Sequence, residues 1–218
     1  MSPLRRRGLG MTAIKEWLTA ARGNPVFALT CGVAAVTILL DQMTKMAILH
    51  LIDLPGRRFG HLDLTPFFDL TYVENRGVSF GFFAGGMTSR ILLTVLALGV
   101  AAGFVHWAGR LDRRIAALGA GLIVGGAVGN AIDRTFYGYV VDFLDFSAIG
   151  FPWKFNIADT SINLGVAALA YDAFFIVPNR DRTAAPNPTE RKVQTGFPGE
   201  DHLPKQPDDD HAQTAEDR

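Results

Sequence analysis

Four apolar runs, at 26–51, 91–108, 115–132 and 160–177, leave this chain few folds to choose from. A helix of roughly 18 or more mainly apolar residues spans the hydrocarbon core of a bilayer, about 30 Å thick. The first run carries Asp41 and Lys45, four apart and therefore on one helix face. Each such charge costs about 2.5–3.5 kcal/mol at mid-membrane, and a Leu or Ile returns about 0.3–0.6, so about ten apolar residues offset the pair. At about 1.5 Å per residue from Val26, Asp41 lies roughly 22 Å along the span, toward its far side, where the cost is lower. The two charges either lock the bundle as an ion pair or support a reacting site. The second run is bounded by Arg90 and Arg110. The third holds Gly119, Gly121, Gly125, Gly126 and Gly129, whose small-xxx-small spacings at 121/125 and 125/129 let helix backbones approach closely. The fourth stops at Pro178.

Charge distribution sets the expected orientation. Lys and Arg number five before the first run, three between the second and third, and six after the fourth. Arg57, Arg58, Arg76, Arg90, Arg134 and Lys154 fall in the other loops, among acidic neighbours. Both termini are therefore expected on the cytoplasmic side. A basic segment at 1–25 precedes a membrane domain at 26–177, and the polar, Pro-rich stretch 178–218 reads as a disordered tail. The zero net charge gives no indication of nucleic-acid binding. The single cysteine, Cys31, excludes an intramolecular disulfide framework and a cysteine metal cluster, and no metal or other cofactor is expected. The fold class is thus a mainly α membrane protein with four transmembrane helices and a small sheet outside the membrane.

That sheet is expected at about 54–84. His61–Thr65 and Asp69–Val73 alternate polar and apolar residues, the period of a strand, and Asn75-Arg76-Gly77 supplies turn chemistry. Val78, Phe80 and Phe82 place apolar groups on one face of the stretch after that turn, and with Phe67, Phe68 and Phe83 they make the segment aromatic. The stretch 135–158 reads as a loop.

Carboxylates and amides then gather at one level of the membrane. Asp142 and Asp159 lie 17 residues apart, the second at the mouth of the fourth span. Were the intervening loop to fold back, repulsion would let the pair keep one proton, giving one acid and one base. Alternatively both are interfacial acids or helix N-caps. Asn130 and Asp133, three apart on one helix face, could orient such a pair, or Asp133-Arg134 could be a headgroup anchor. In the expected topology Asp41, Asn75, Asn130, Asp133, Asp142, Asn156 and Asp159 all fall near the outer leaflet, a convergence that independent caps and anchors do not require.

Five blocks occur in order: Leu40-Asp41-Gln42-Met43-Thr44-Lys45, Asn75-Arg76-Gly77-Val78-Ser79-Phe80, the run from Gly125 to Arg134, Val140-Val141-Asp142-Phe143, and Phe155-Asn156-Ile157-Ala158-Asp159. In these the chain resembles bacterial lipoprotein signal peptidase, or signal peptidase II, over about 26–177. The resemblance implies a four-helix aspartic endopeptidase of the bacterial inner membrane. Such an enzyme cleaves the signal peptide from prolipoproteins just before a diacylglyceryl-modified cysteine. It implies that Asp142 and Asp159 are the catalytic pair, and that Asp41, Lys45, Asn75, Asn130, Asp133, Arg134, Asn156 and Ala158 line or support the site. It also makes the sheet a periplasmic cradle over the substrate. The implied partners are lipidated prolipoproteins and membrane lipid, with the protein a monomer.

The implied chemistry needs no metal and no covalent intermediate: one ionised aspartate activates water and the other protonates the leaving nitrogen. Two other classes fit less well. A presenilin-type protease could use Tyr171-Asp172, but no Gly-x-Gly-Asp comes after it and Asp172 lies toward the inner side. An ion-coupled transporter using Asp41, Lys45 and Asp133 should show an internal repeat or a polar path inward, and neither is visible.

Overall fold

The computed structural model describes residues 23–77 and 86–178, together with 12, 15–19 and 21. The tail from 179 on, most of the basic segment, and the aromatic face formed by Val78, Phe80, Phe82 and Phe83 lie outside these residues. The chain divides into two units, Met1–Val177 and Pro178–Arg218, and the elements described below belong to the first.

Helix α1 runs Pro25–Met46, with Pro25 at its first position and the Asn24 side chain capping the Val26 N–H, the usual chemistry of a helix start. It continues through a π-helical turn, Ala47–Leu51. Helices α2, Met87–Ala108, and α3, Arg114–Phe136, come next. Helix α4, Ile157–Tyr171, is capped by Asn156 and also ends in a π turn, Asp172–Ile176. Among the described residues three helical stretches, Pro25–Gly56, Met87–Ala108 and Arg114–Phe136, are long and apolar enough to cross a membrane. The helix begun at Ile157 covers the fourth expected span, although only 15 of its residues are α-helical.

Helix α3 is the hub: 72% of its apolar window is buried, against 11% for α2. Its small residues explain this. A Cβ on Gly121, Gly125 or Gly129 would stand 2.7 Å from Thr30 O, 2.5 Å from Thr37 Cβ and 2.6 Å from Asp41 Oδ2, all on α1. On the opposite side, Gly119 and Gly126 lie against the Gly165 and Ala158 carbonyls of α4. Glycine therefore brings both neighbours to backbone contact, as the spacing predicts for one of them. Near the other end of the bundle, Asp172 is buried and accepts from Arg113 Nε at 3.0 and 2.9 Å.

Among the described residues the sheet has four antiparallel strands in sequence order: β1 His61–Asp63, β2 Asp69–Asn75, β3 Val140–Phe146 and β4 Phe151–Phe155. Among these described strands, β1 and β2 come from the segment that alternation marks as sheet. β3 and β4 arise within 135–158, which in sequence reads as a loop. The physical reason is burial on both faces of β3: Val140, Val141, Asp142 and Phe143 are all buried, so alternation is absent. Strand β1 is also shorter than predicted. Past Asp63 the chain turns, and the Thr65 hydroxyl accepts from Phe68 N at 2.9 Å. Ile48, Leu54, Leu70, Val141 and Phe143 form an apolar core that joins the sheet to the end of α1. The β2–β3 register shifts between Leu70 and Val73, leaving Asp142 opposite Val73. Bulges of this kind re-aim side chains and are common beside active sites.

Candidate active site

The two predicted aspartates occupy different elements. Asp142 is in the buried strand β3, and Asp159 is in the first turn of α4. Neither is a cap. Asn156 caps α4, its Oδ1 accepting from Asp159 N at 2.9 Å. The Asp159 carboxylate instead accepts from Asn130 Nδ2 at 2.7 Å. A negative group in a first turn also meets the positive end of the helix dipole.

Asn156 touches both aspartates. Its Nδ2 donates to Asp142 Oδ1 at 2.7 Å, and Asn75 Nδ2 donates to the other Asp142 oxygen at 3.0 Å. Burial pushes the Asp142 carboxyl up to about 7; the neighbouring Asp159 charge adds to that, while the two amide donors oppose it. Asp142 therefore holds a proton over much of the range in which an ordinary aspartic acid has lost it.

Behind the pair is a second layer. Lys45 and Asp41 are buried, and Lys45 Nζ lies 2.8 Å from Asp41 Oδ2 and 2.7 Å from Asp133 Oδ2. It also donates to Asn130 Oδ1 at 3.3 Å. Asp41 Oδ1 accepts from Ala158 N at 2.9 Å, and Asp133 Oδ2 accepts from Val141 N at 3.1 Å. Ala158 and Val141 are the residues immediately preceding Asp159 and Asp142. Arg134 is half-buried and interacts electrostatically with Asp159, Asp142 and Asp133. The fold thus brings together all ten residues singled out in the sequence, with Arg134 joined through charge.

Sequence reasoning missed Gln42, which stands in the first of the five blocks with no role of its own. Its Nε2 lies 3.1 Å from Asp41 Oδ2, 3.0 Å from Asp133 Oδ1 and 3.3 Å from Gly129 O. The available signal was an amide in an apolar run, where a polar side chain needs partners. Asp145, in the same strand as Asp142, has a different setting. Burial would raise its carboxyl, but donation from Thr71, Ser147 and Lys154 outweighs that and holds it below the usual range. The Thr71 hydroxyl donates to Asp145 Oδ2 at 2.6 Å, and Lys154 Nζ stands 3.2 Å from Oδ1. Among the described residues one group could hold a metal ion, His61, Asp63 and Asp69 on β1 and β2, with ligand atoms within 4.8 Å of one another. The His61 ring is already shared between Thr71 and Asp63.

Residues 33–175 match the family model described as signal peptidase (SPase) II. The lipoprotein signal peptidase of Caulobacter vibrioides is 46% identical over 151 residues, covering 68% of this chain and 88% of its own length. That of Rhodopseudomonas palustris is 44% identical over 149 residues, 66% and 90%. That of Synechocystis is 42% identical over 158 residues, 72% and 92%. Two solved structures, each described as a bacterial membrane enzyme determined by the in meso method, share the fold. One has a TM-score of 0.58 at 25% identity, covering 67% of this chain and 92% of that one; the other has 0.56 at 24%, covering 73% and 92%.

Proposed function

The chain belongs to the signal peptidase II family, and on that premise we propose that Asp142 and Asp159 are the catalytic pair of an intramembrane aspartic endopeptidase. Membership makes it a peptidase of the aspartic type that processes prolipoprotein signal peptides, in a multi-pass bacterial membrane protein. The finer reading is cleavage immediately before a diacylglyceryl-modified cysteine. The observation that carries the assignment of the pair is the sharing of Asn156: one side chain binds the carboxylate of Asp142 and the backbone of Asp159.

Near neutral pH the pair holds one proton between them. The ionised member takes a proton from water as it attacks the scissile carbonyl. The protonated member then gives its proton to the departing amide nitrogen, leaving a carboxylic acid and an amine. Apparent titration values belong to the pair rather than to either member. The buried amides and the Lys45 cluster keep this charge distribution in place without rearrangement during the reaction. Lys45 and both carboxylates beside it are held by several partners at once, which suits a fixed support better than a proton relay that must change partners.

In this reading the four helices span the bacterial inner membrane with both termini cytoplasmic, and the protein acts as a monomer. The sheet lies over the site at the outer leaflet as a periplasmic cradle. The substrate's acyl chains remain in the bilayer while its peptide bond reaches the interface. The test is incubation of purified protein with a diacylglyceryl-modified prolipoprotein, alongside Asp142→Asn and Asp159→Asn. Cleavage before the lipidated cysteine, lost in either folded variant, supports the pair. Activity near wild type in either variant overturns it and makes Asp133 the next candidate.

A further inference from the structure

We propose that Gln42 is a positioning residue that fixes the spacing of the Asp142–Asp159 pair by clasping the two buried carboxylates from which their backbones hang; the proposal rests on Asp142 and Asp159 being the catalytic pair. The geometry is nearly symmetrical. The peptide N–H one residue before Asp159 is held by Asp41, and the peptide N–H one residue before Asp142 is held by Asp133. The distance between strand β3 and helix α4 at the pair is therefore set by the distance between these two anchors. Two groups join them: Lys45 Nζ, at 2.8 and 2.7 Å, and Gln42 Nε2, at 3.1 and 3.0 Å.

Lys45 alone does not complete the junction. It meets one oxygen of each carboxylate, Asp41 Oδ2 and Asp133 Oδ2. Asp133 Oδ1 accepts from Gln42, its donor among the described residues, in a side chain that is fully buried. The three atoms facing the Gln42 amide, two carboxylate oxygens and the Gly129 carbonyl, are all acceptors, so the amide nitrogen must be the end turned toward them. Gly129 leaves room for this: a Cβ there would come within 2.6 Å of Asp41 Oδ2. A single cation between two carboxylates leaves one negative charge over. A neutral donor that binds both resists their separation without adding to the positive field that Lys45 and Arg134 already supply, which favours ionisation of the reacting aspartates.

The test uses full-length protein in lipid and a diacylglyceryl-modified prolipoprotein, with wild type, Gln42→Met and Gln42→Asn. Methionine keeps the length and removes the donor; asparagine keeps the donor and draws it back by one carbon. In the folded fraction of either variant kcat is expected to fall by more than about tenfold while KM changes by less than about twofold, because the substrate's own contacts are untouched. The two limbs of the pH–rate profile are also expected to move closer together, since a wider pair repels less. Loss of folded protein alone would not move those limbs. Wild-type kcat and unshifted limbs in Gln42→Met, or in Gln42→Asn should the methionine variant not fold, overturn the clasp. Asp142→Asn in the same assay separates the two levels of inference: if it retains activity, the reading of the pair fails, whereas an inactive Asp142→Asn beside a normal Gln42 variant refutes the clasp alone.

Discussion

Replacing Asn156 by Ser separates two jobs done by one side chain. Serine is as good an N-cap as asparagine, so the start of α4 is expected to survive. A hydroxyl on Cβ cannot also reach Asp142 Oδ1, which Asn156 Nδ2 now approaches at 2.7 Å. That donor opposes the upward push of burial on Asp142. A hydrogen bond to a charged group contributes about 1.5–3 kcal/mol, and at about 1.36 kcal/mol per pH unit its loss corresponds to about 1–2 units. The limb of the pH–rate profile that reports Asp142 within the coupled pair is expected to move up by about 1 unit or more. The sign holds for either role. If Asp142 must be protonated, the fall in activity shifts upward; if it must be ionised, the rise does. The loss of contacts to Asn130 and Val141, at 3.2 and 3.3 Å, is expected to cost about 1–2 kcal/mol of stability. The assay is initial cleavage rate from about pH 5 to about pH 9 on lipid-reconstituted protein, with Asn156→Ala as the variant that also loses the cap. A limb unmoved by more than about 0.3 units in folded Asn156→Ser would refute the idea that this amide holds the Asp142 charge.

Other consequences are as direct. Lys45→Met leaves Asp41 and Asp133 buried against each other and is expected to destabilise the protein by about 3–5 kcal/mol, read from thermal unfolding in lipid; an unchanged melting temperature would argue against the pairing. Gly129→Ala drives a methyl into Asp41 Oδ2, with an expected loss of about 1–3 kcal/mol and of turnover; wild-type values for both would show that α1 and α3 are not in contact there. Thr71→Val removes the 2.6 Å donor to Asp145 and should cost about 1.5–3 kcal/mol at neutral pH. Because the folded-state value of Asp145 is depressed, its stabilisation is present above its ordinary value of 3.8 and lost as pH falls toward the folded value, so the wild-type advantage over Thr71→Val should shrink in acid. An advantage that grew in acid would contradict that sign.

Much of the architecture comes from local chemistry. Apolar runs between basic flanks mark α1, α2 and α3 because a membrane helix must satisfy its own backbone, and that requirement is written in composition and length. The glycine spacing in α3 predicts close approach because its only cause is the absence of a side chain. Period two reveals β2, one face of which is covered. It fails for β3, whose buried faces erase the alternation, and for β4, where Pro152 interrupts a five-residue strand. Most acidic and amide residues of the site can be singled out for a related reason, that polar groups at membrane depth are expensive unless partnered; Gln42, an amide of the same kind, goes unassigned because that cost names no role. Which partner each finds is another matter. That Asn156 caps α4 while binding Asp142, that Asp41 and Asp133 hold the peptides just before the two aspartates, and that Gln42 reaches across to α3 depend on separations of up to 117 residues closing to hydrogen-bond distance. Sequence fixes the residue types because burial and charge act on each position alone; pairing is decided only by packing, because it needs the positions of both groups at once.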